Sequence, residues 1–314
     1  MASEGRIGEG ALVAIDWGTS RVRAWLLNAA GEPLAEAASD DGIGRLDGGH
    51  AAAFEKLVAA WPPAPAIMAG MIGSRQGWRE VPYVPCPATT ADIANGMTRF
   101  ETDRGRAVTI VPGIAIRSGD GDVLRGEETQ IVGLMAGEPG FAGTVVLPGT
   151  HSKWARVYKG TIVDFQTYMT GELFELLSQR SILRHSVADG GAEVSTSPAF
   201  ASAIRQTAIE GLPFLASLFP VRARQLLTDV APADNFAHLS GLVIGGEIAA
   251  ARAMGRLKPD DAIRIVGAKS LARAYGQAMA IAGFPTETLD GDRLVRRGLA
   301  DLARSIGFLP EKTG

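Results

Sequence analysis

The chain has 314 residues, of which 46% are hydrophobic and 21% are charged, and its formal net charge at pH 7 is -3. This length favours two domains with a binding cleft between them, and the composition is ordinary for a globular protein. Because basic residues are not in excess, nucleic acids and anionic membrane surfaces are disfavoured as partners, and a small molecule is expected instead.

Two features bear on the cellular compartment. The first ten residues are polar and glycine-rich and lack the apolar stretch of a signal peptide. The richest apolar run is broken at Pro62, Pro63 and Pro65, so no segment is long enough to cross a bilayer. A cytoplasmic protein is expected, and a homodimer is left open. Cys86 has no second thiol to pair with, which favours an inert side chain.

The first half begins with three short apolar segments, ALVAID, RVRAWLLN and PLAEAAS, separated by turns. This pattern predicts a three-stranded antiparallel meander over residues 11–39. Apolar spacing and turn residues predict the next elements in order: a helix over 51–61, a strand over 66–74, a loop with a short helix over 81–100, one buried strand over 107–116, and a helix over 125–137.

The opening pattern returns as TVVL, PGTHSK, WARVYK and TIVDFQTYM. A supersecondary unit that occurs once per half predicts two related domains, 1–138 and 139–314. The remaining residues are predicted to be mainly helical. They comprise helical segments at 171–183, 207–219 and 240–254, and a strand-turn-helix over 263–280.

Each half carries a strand-turn-strand loop rich in glycine, threonine and serine. Successive backbone amides in such turns bind anions, so these loops could hold phosphates without a GxxxxGK[ST] motif, which the sequence lacks. Asp16, at the tip of the first strand, would hold the Mg²⁺ that accompanies a nucleoside triphosphate. An ordinary hairpin turn is the alternative interpretation of the first loop, and a surface turn that of the second.

Several motifs resemble those of one superfamily. DWGTSRVR resembles the phosphate-1 motif of the sugar-kinase, heat-shock-protein and actin superfamily, LPGTHSKW its phosphate-2 hairpin, and IVGAKSLARAYGQAM its adenosine motif. The set DWGTSRVRAW, MAGMIGSRQGW, RGEETQ, LPGTHSKW and MTGELF resembles the 2-dehydro-3-deoxygalactonokinase family. The resemblance covers most of the chain, from residue 16 to about residue 280.

The resemblance implies an α/β fold with two ribonuclease-H-like (actin-like ATPase) domains flanking a nucleotide- and substrate-binding cleft. It implies ATP and Mg²⁺ as cofactors and transfer of the γ-phosphoryl group to the 6-hydroxyl of 2-dehydro-3-deoxy-D-galactonate, a sugar acid. The implied cofactor-binding residues, with Asp16 also as metal ligand, are Asp16, Gly18, Thr19, Ser20, Arg23, Gly149, Thr150, Gly267, Ala268 and Lys269.

Some of these positions have equally simple structural interpretations. The Gly267–Lys269 turn is as consistent with a plain strand-to-helix connection as with nucleotide binding. The small residues of SGLVIGGEIAAARAM favour a tightly packed helix, and the alternative is that Glu247 faces the nucleotide. His151 is left open between a hydrogen-bonding turn residue and a general base.

The catalytic candidates lie in RGEETQ. A kinase that phosphorylates an alcohol needs a carboxylate near the attacking hydroxyl. Related carbohydrate kinases place an aspartate at the comparable helix start, in a GDQQ-like motif, where this sequence has Glu127 and Glu128. Glu127 is preferred because it directly follows Gly126. The alternative is that both glutamates only stabilise the helix N-terminus through its dipole.

Substrate binding is assigned to Ser74, Arg75, Trp78, Lys153 and Glu172. The Arg75 guanidinium would form a two-pronged contact with the sugar-acid carboxylate, and Trp78 would cover an apolar face of the substrate. Lys153 would reach the substrate or the transferring phosphoryl group, with surface solvation as the alternative. Glu172 would contact a hydroxyl, with an ordinary first-turn helix glutamate as the alternative.

Three rival functions share this fold. A kinase of another sugar or 2-keto-3-deoxy sugar acid, such as the gluconate epimer, is the nearest, because the motifs do not encode the C4 configuration. An ATP-dependent chaperone or filament subunit usually needs further partner-binding segments, for which 314 residues leave little room. A sugar-dependent transcription factor would need a helix-turn-helix and a basic face. A sugar-acid kinase is therefore the favoured prediction.

Overall fold

The computed structural model describes residues 10–46, 49–188, 193–258 and 260–311. Its strands are β1 (Leu12–Trp17), β2 (Val22–Leu27), β3 (Pro33–Ser39), β4 (Ala66–Gly70), β5 (Val84–Pro85), β6 (Ala88–Thr89), β7 (Thr98–Glu101), β8 (Ala107–Ile110), β9 (Ile114–Ile116), β10 (Asp122–Leu124), β11 (Gly143–Leu147), β12 (Ser152–Tyr158), β13 (Thr161–Tyr168), β14 (Ala262–Gly267) and β15 (Glu287–Asp290).

The α-helices of the described ranges are α1 (His50–Leu57), α2 (Thr90–Asn95), α3 (Glu127–Gly137), α4 (Thr170–Glu175), α5 (Pro198–Ile204), α6 (Phe214–Leu227), α7 (Pro232–Ala253), α8 (Lys269–Ile281) and α9 (Gly291–Ser305). Short 3-10 or π turns occupy Met71–Gly73, Leu176–Arg180, Ile182–His185, Val194–Thr196 and Arg205–Ile209. Within these ranges no helix is both long and apolar enough to span a membrane.

The described residues form two compact units. Unit 1 lies within Met1–Phe141, Tyr158–Asp164 and Gly291–Gly314, and unit 2 within Ala142–Val157 and Phe165–Asp290. Helix α9 belongs to unit 1 because it packs against α3, with Gly133 and Gly298 at the crossing, where a Cβ would collide with the facing backbone. The sequence-based division at residue 138 instead counts this helix with the second half.

Unit 1 is built on a sheet of order β3-β2-β1-β4-β8-β7. The predicted meander is present, since β1 pairs antiparallel with β2 and β2 with β3, whereas β4 runs parallel to β1 and β8 parallel to β4. Strand β1 is central, and its apolar residues Leu12 to Ile15 are fully buried. The polar residue at its C-terminal end, Asp16, is therefore fixed by a rigid element.

Unit 2 repeats the same order with β15, β14, β11, β12 and the part of β13 from Phe165 onward, with β11 and β12 antiparallel and β11 and β14 parallel. Its core includes Val146, Trp154, Phe200, Ile244 and Tyr275, contributed by the sheet and by helices α5, α7 and α8. A meander followed by parallel strands, found once per unit, is the ribonuclease-H-like arrangement. The predicted α/β fold class is confirmed.

Prolines explain two differences from the predicted elements. Residues 107–116 form β8 and β9 and not one strand, because Pro112 has no N–H to donate and Gly113 lies in contact with Tyr83 and the Leu124 carbonyl. The predicted helix over 207–219 is interrupted between Gly211, at φ +74°, and Pro213, after which α6 begins.

A third difference concerns residues 91–100. Helix α2 starts earlier, at Thr90, because Thr89 and Asp92 form a reciprocal capping box, and the helix ends at Asn95 before β7.

Cys86 lies just before this helix in the chain, and burial together with the charge of Asp164 raises the pKa of its thiol to about 11. A thiol with so high a pKa is protonated and unreactive at neutral pH, as the sequence predicts.

Candidate active site

The carboxylate of Asp16 lies at the C-terminal end of β1. It stands opposite Arg23 on β2 and Ala69 on β4, and its Oδ2 accepts a hydrogen bond from Arg23 Nη2 at 2.5 Å. Arg23 also donates to Asp292 at the start of α9. Burial lowers the pKa of Arg23, but the two carboxylates outweigh burial and the pKa rises. A permanently charged arginine therefore orients Asp16.

The turn after β1 leaves its amides available. Gly18 N–H donates to the Arg21 carbonyl at 2.9 Å, which closes a tight turn with Thr19 and Ser20 exposed at its tip. The carbonyls of Gly18 and Thr19 accept hydrogen bonds from the following segment, at Ile43 and Gly44. Within the described ranges the amides of Thr19 and Ser20 have no backbone acceptor, so they are free to bind an anion.

A pair of glycines brings helix α3 to the same strand end. Gly70 ends β4 at φ +91°, and a Cβ there would lie 3.4 Å from Asp16 Oδ1. Gly126 precedes α3 at φ +111°, and a Cβ there would lie 3.4 Å from Gly70 Cα. Both positions need glycine because of the positive φ and the close approach. Gly70 is thus flanked by Asp16 and by the residue before Glu127.

The two glutamates of α3 have different environments. Glu127 is half-buried, and its Oε2 accepts a hydrogen bond from Arg125 N–H at 2.9 Å. Glu128 is fully buried, and its Oε2 accepts from Gly126 N–H at 2.7 Å while Oε1 has no hydrogen-bond partner. Burial, and secondarily the charge of Glu127, raises the pKa of Glu128 to about 8. Glu127 is therefore the more accessible carboxylate of the two, and Glu128, with a pKa of about 8, is mostly protonated at neutral pH.

The loop after β4 holds three of the predicted substrate residues. Arg75 is exposed, and Ser74 is buried with a hydroxyl that makes no hydrogen bond. Trp78 packs between Phe54 and Phe100, with ring centroids 5.7 and 5.1 Å away. These contacts give Trp78 a packing role in unit 1.

Arg125 lies beside this loop and was not singled out from the sequence. Its Nη2 donates to the Val81 carbonyl at 2.8 Å, and its guanidinium lies 4.2 Å from the centroid of the Tyr83 ring. Its Nη1 and Nε have no hydrogen-bond partner, and a Cβ at Gly73 would lie 2.8 Å from Nη1. The sequence feature that could have identified Arg125 is its position directly before Gly126 and the glutamate pair.

In unit 2 the β11–β12 turn is braced by the start of α4. Glu172 N–H donates to the Thr150 carbonyl at 3.0 Å, and Gly171 contacts the backbone of Gly149. His151 Nε2 lies 2.6 Å from Glu172 Oε2, so the two exposed or half-exposed side chains orient one another. Lys153, by contrast, is only 5% exposed, which rules out surface solvation for this side chain.

A cavity of about 220 Å³ lies in unit 2 beside this turn. Its lining is mostly apolar, and Phe174 and Phe236 meet edge to face in it with centroids 5.1 Å apart. The full lining is Gly149, Thr170, Gly171, Phe174, Val194, Phe236, Ser240, Val243, Ile244, Ser270, Leu271, Ala274 and Tyr275. This apolar wall was not predicted from the sequence, although residues 236, 240, 243 and 244 follow helical spacing on α7.

The predicted adenosine motif adjoins this cavity. Gly267 ends β14 and lies against Pro148 of the β11–β12 turn, where a Cβ would be 3.5 Å from the Pro148 carbonyl oxygen. Ala268 is the N-cap of α8, and Lys269 begins the helix, both exposed. The first amides of a helix lack intrahelical acceptors and favour anions. The next residues, Ser270 and Leu271, line the cavity.

Glu247 does not line the cavity but lies behind it. Its Oε1 accepts hydrogen bonds from Ser152 Oγ at 2.7 Å and Trp154 Nε1 at 2.5 Å, and its Oε2 accepts from Tyr275 Oη at 2.6 Å. Helix α7, which carries it, is a packing helix as predicted, because Gly241 lies against the Phe200 carbonyl of α5.

The residues present fit Mg²⁺ through a single carboxylate. No group of three or more His, Cys, Asp or Glu side chains suited to a metal occurs in the described ranges. Mg²⁺ commonly keeps several waters and uses one or two carboxylates together with substrate phosphates. Asp16 matches this need, since Arg23 occupies Oδ2 and Oδ1 faces Gly70 without a hydrogen bond to a described residue.

Comparison with known proteins assigns this chain to one family. The family model described as 2-keto-3-deoxy-galactonokinase matches residues 16–302. A protein of Rhizobium meliloti (strain 1021) named as a probable 2-dehydro-3-deoxygalactonokinase is 41% identical over 305 residues, covering 95% of this chain and 98% of its own. The 2-dehydro-3-deoxygalactonokinase of Escherichia coli (strain K12) is 34% identical over 300 residues, with coverages of 94% and 98%.

A solved structure agrees. The crystal structure of a Sinorhizobium meliloti protein assigned as a 2-dehydro-3-deoxygalactonokinase superposes with a TM-score of 0.88 at 39% identity, covering 94% of this chain and 99% of that one. The match runs from Asp16 past α8 and into α9, so it includes both hairpins, the α3 glutamates and the cavity. The chain belongs to the 2-keto-3-deoxy-galactonokinase family of kinases.

Proposed function

We propose that this protein transfers the γ-phosphoryl group of ATP to the 6-hydroxyl of 2-dehydro-3-deoxy-D-galactonate, giving the 6-phosphate and ADP. The names of the relatives support the substrate. The observation that carries the chemistry is the contact of Gly126 with Gly70, which sets the start of α3 beside the strand end that bears Asp16. A carboxylate that can accept a proton thus lies near one that suits a metal.

Each unit carries its own candidate contacts for the nucleotide. The cavity of unit 2 accepts a planar, mostly apolar adenine, with Phe174 and Phe236 as aromatic walls. The amides at Gly149–Thr150 and at Lys269 would bind phosphate oxygens in unit 2, and the amides of Thr19 and Ser20 would do so in unit 1. Mg²⁺, held by Asp16, would neutralise phosphate charge.

Glu127 would act on the acceptor hydroxyl. As the new bond forms between O6 and the γ-phosphorus and the bond to the β,γ-bridging oxygen breaks, the hydroxyl proton passes to the Glu127 carboxylate. Arg125 N–H already orients that carboxylate through its 2.9 Å hydrogen bond. Glu128 is buried and protonated, so it is unsuited to accept the proton and instead completes the start of α3.

Binding the carboxylate of the sugar acid requires a positively charged side chain. Arg75 is exposed and lies next to the unpartnered hydroxyl of Ser74, so the two could bind a planar carboxylate together. Lys153 and Glu172 remain proposed substrate contacts from unit 2. Trp78 is the least supported member of the predicted set, because its ring is occupied by Phe54 and Phe100.

An assay of ADP release tests the proposal with a panel of acceptors. The panel comprises 2-dehydro-3-deoxy-D-galactonate, its C4 epimer from gluconate, two other 2-keto-3-deoxy acids and plain hexoses, with water alone as the control for ATP hydrolysis. We expect the highest kcat/KM with the galactonate derivative. Preference for the C4 epimer would show that the protein is a kinase of a different sugar acid. Absence of turnover with every acceptor would contradict kinase activity.

We further propose that the protein works in the cytoplasm, where ATP and Mg²⁺ are supplied, and that it forms a homodimer through α6. The outer face of this helix exposes Leu215 (81%), Phe219 (64%), Leu226 (60%) and Leu227 (81%). Arg222, at the edge of the face, is turned to Ser186 and Gln225. An apolar, charge-free face is self-complementary about a two-fold axis, so a second copy is the favoured partner.

The size of the face agrees with a dimer. It extends for about 18 Å along the helix and offers several hundred Å², on the order of what one partner buries in a standard interface. Sedimentation of the wild type and of Leu215→Lys tests this, with Val123→Lys in unit 1 as the exposed-valine control. We expect the wild type and Val123→Lys to sediment as dimers and Leu215→Lys to sediment as a monomer. A monomeric wild type would refute the interface.

A further inference from the structure

The buried carboxylate of Glu247 is not used by the proposed reaction. Glu247 is only 4% exposed, and its carboxylate accepts hydrogen bonds of 2.7 Å or less from the side chains of Ser152, Trp154 and Tyr275. Thr170 makes a fourth hydrogen bond to the same carboxylate. Burial nevertheless raises the pKa of Glu247. Such a group is costly to keep in a core, which raises the question of what it holds in place.

The four donors come from three separate parts of the nucleotide region in unit 2. Ser152 directly follows the exposed tip of the β11–β12 turn, and Trp154 lies two residues further along β12. Thr170 starts α4, whose next residue, Gly171, contacts the backbone of Gly149. Tyr275 lies on α8 and lines the cavity. One carboxylate therefore joins the β11–β12 turn (residues 148–153, called the phosphate turn below) to two walls of the cavity.

A carboxylate is suited to this arrangement because it only accepts hydrogen bonds. Its two oxygens offer about four lone-pair positions, which match the hydroxyls of Ser152, Thr170 and Tyr275 and the indole N–H of Trp154. A glutamine of the same shape would turn an NH₂ group toward at least one of these groups. The indole N–H can only donate, so a glutamine must leave at least one contact weakened or reversed.

We propose that Glu247 is a positioning residue that fixes residues 148–153 against the cavity, so that ATP binding depends on it and sugar-acid binding does not. The inference rests on the proposed function for the identity of the nucleotide. A variant without this carboxylate should have a selective defect. The phosphate turn would shift away from the cavity, so that the nucleotide could no longer contact the turn and the cavity at the same time.

Glu247→Gln tests the inference through kinetics and direct binding. We expect the KM for ATP and the Kd for Mg·ADP to rise about tenfold, the effect of losing one or two hydrogen bonds to a charged group, while the KM for the sugar acid changes less than about twofold. Trp154→Phe removes one donor and retains the charge, so it should raise the KM for ATP by a smaller factor. Equal rises in both KM values would contradict a positioning role.

Asn235→Ala is the matched control. Asn235 is fully buried on the same helix, but it donates to the carbonyls of Ser186 and Val221, away from the phosphate turn. It should lower the melting temperature without changing the KM for ATP. A rise in that KM as large as in Glu247→Gln would show that general loosening of α7 explains the defect, and would overturn the inference.

Hydrogen exchange of the ligand-free protein separates this inference from the proposed function. In Glu247→Gln we expect faster exchange at residues 148–153 and 170–175, and in Asn235→Ala at residues around 186 and 221. Unchanged exchange at 148–153 would refute the positioning role even if the enzyme is a kinase. If residues 148–153 exchange faster in Glu247→Gln but the wild-type protein binds no nucleotide, the kinase assignment is refuted and the positioning role is not. If Glu247→Gln does not fold, Ser152→Ala and Trp154→Phe provide the same readouts.

Discussion

The β1–β2 hairpin of unit 1 and the β11–β12 hairpin of unit 2 occupy the same place in two copies of one topology, but their charges are arranged differently. In unit 1 the strand itself ends in a carboxylate, Asp16, which is 19% exposed in its side chain and paired with Arg23. In unit 2 the equivalent strand end is Leu147–Pro148, and the supporting carboxylate, Glu247, comes from a helix and is buried. If both hairpins bind phosphates as proposed, the first would act with a side-chain charge at its strand end and the second through its backbone amides alone.

Replacing Asp16 tests the charge of the first hairpin and should have the largest effect. Asp16→Asn keeps the shape but removes the negative charge of the proposed Mg²⁺ ligand, so we expect kcat to fall about 1,000-fold with little change in melting temperature. Asp292→Asn is the matched control, because it removes the other carboxylate partner of Arg23 at a side chain that is 49% exposed. If Asp292→Asn is equally harmful, the Arg23 ion pairs and not a metal explain the role of Asp16.

Glu127→Gln should have the next largest effect. The amide cannot accept the hydroxyl proton, so kcat should fall about 100-fold while both KM values stay within a few-fold of wild type. Glu138→Gln, just past the other end of the same helix, serves as the control and should behave as wild type. Single-turnover phosphate transfer measures the chemical step, and a wild-type rate in Glu127→Gln would exclude it as the base.

Arg75→Lys should affect binding more than turnover. A lysine keeps the charge but loses the two-pronged geometry for a carboxylate, so we expect the KM for the sugar acid to rise about tenfold with an unchanged KM for ATP. Arg79→Lys is the control, since Arg79 is also exposed but stacks on Phe100 at 4.5 Å. An unchanged KM for the sugar acid in Arg75→Lys would argue against the carboxylate contact.

The two hairpins also show what the sequence could reveal. Strand–turn patterning predicted both meanders, because alternation between apolar segments and glycine-rich turns is a local property. The contacts of Glu247 and Arg125 could not be found in this way, because their partners lie far along the chain, 93 residues away for Trp154 and 44 for Val81. The packing of Trp78 against Phe54 and Phe100 could not be predicted for the same reason, since both rings lie far along the chain.

Glu128→Gln should have the smallest effect on turnover but a clear effect on stability. The folded-state pKa of Glu128, about 8, lies above the ordinary value of 4.5, so the folded protein retains a proton that the unfolded chain releases between these values. Its contribution to stability therefore decreases as the pH rises from about 4.5 to about 8, by up to a few kcal/mol. Glutamine keeps the neutral form at every pH, so the melting temperature of Glu128→Gln relative to wild type should rise between pH 5 and pH 8. A constant difference over this range would mean that Glu128 is ionised in the folded protein, and the distinction between the two α3 glutamates would then be lost.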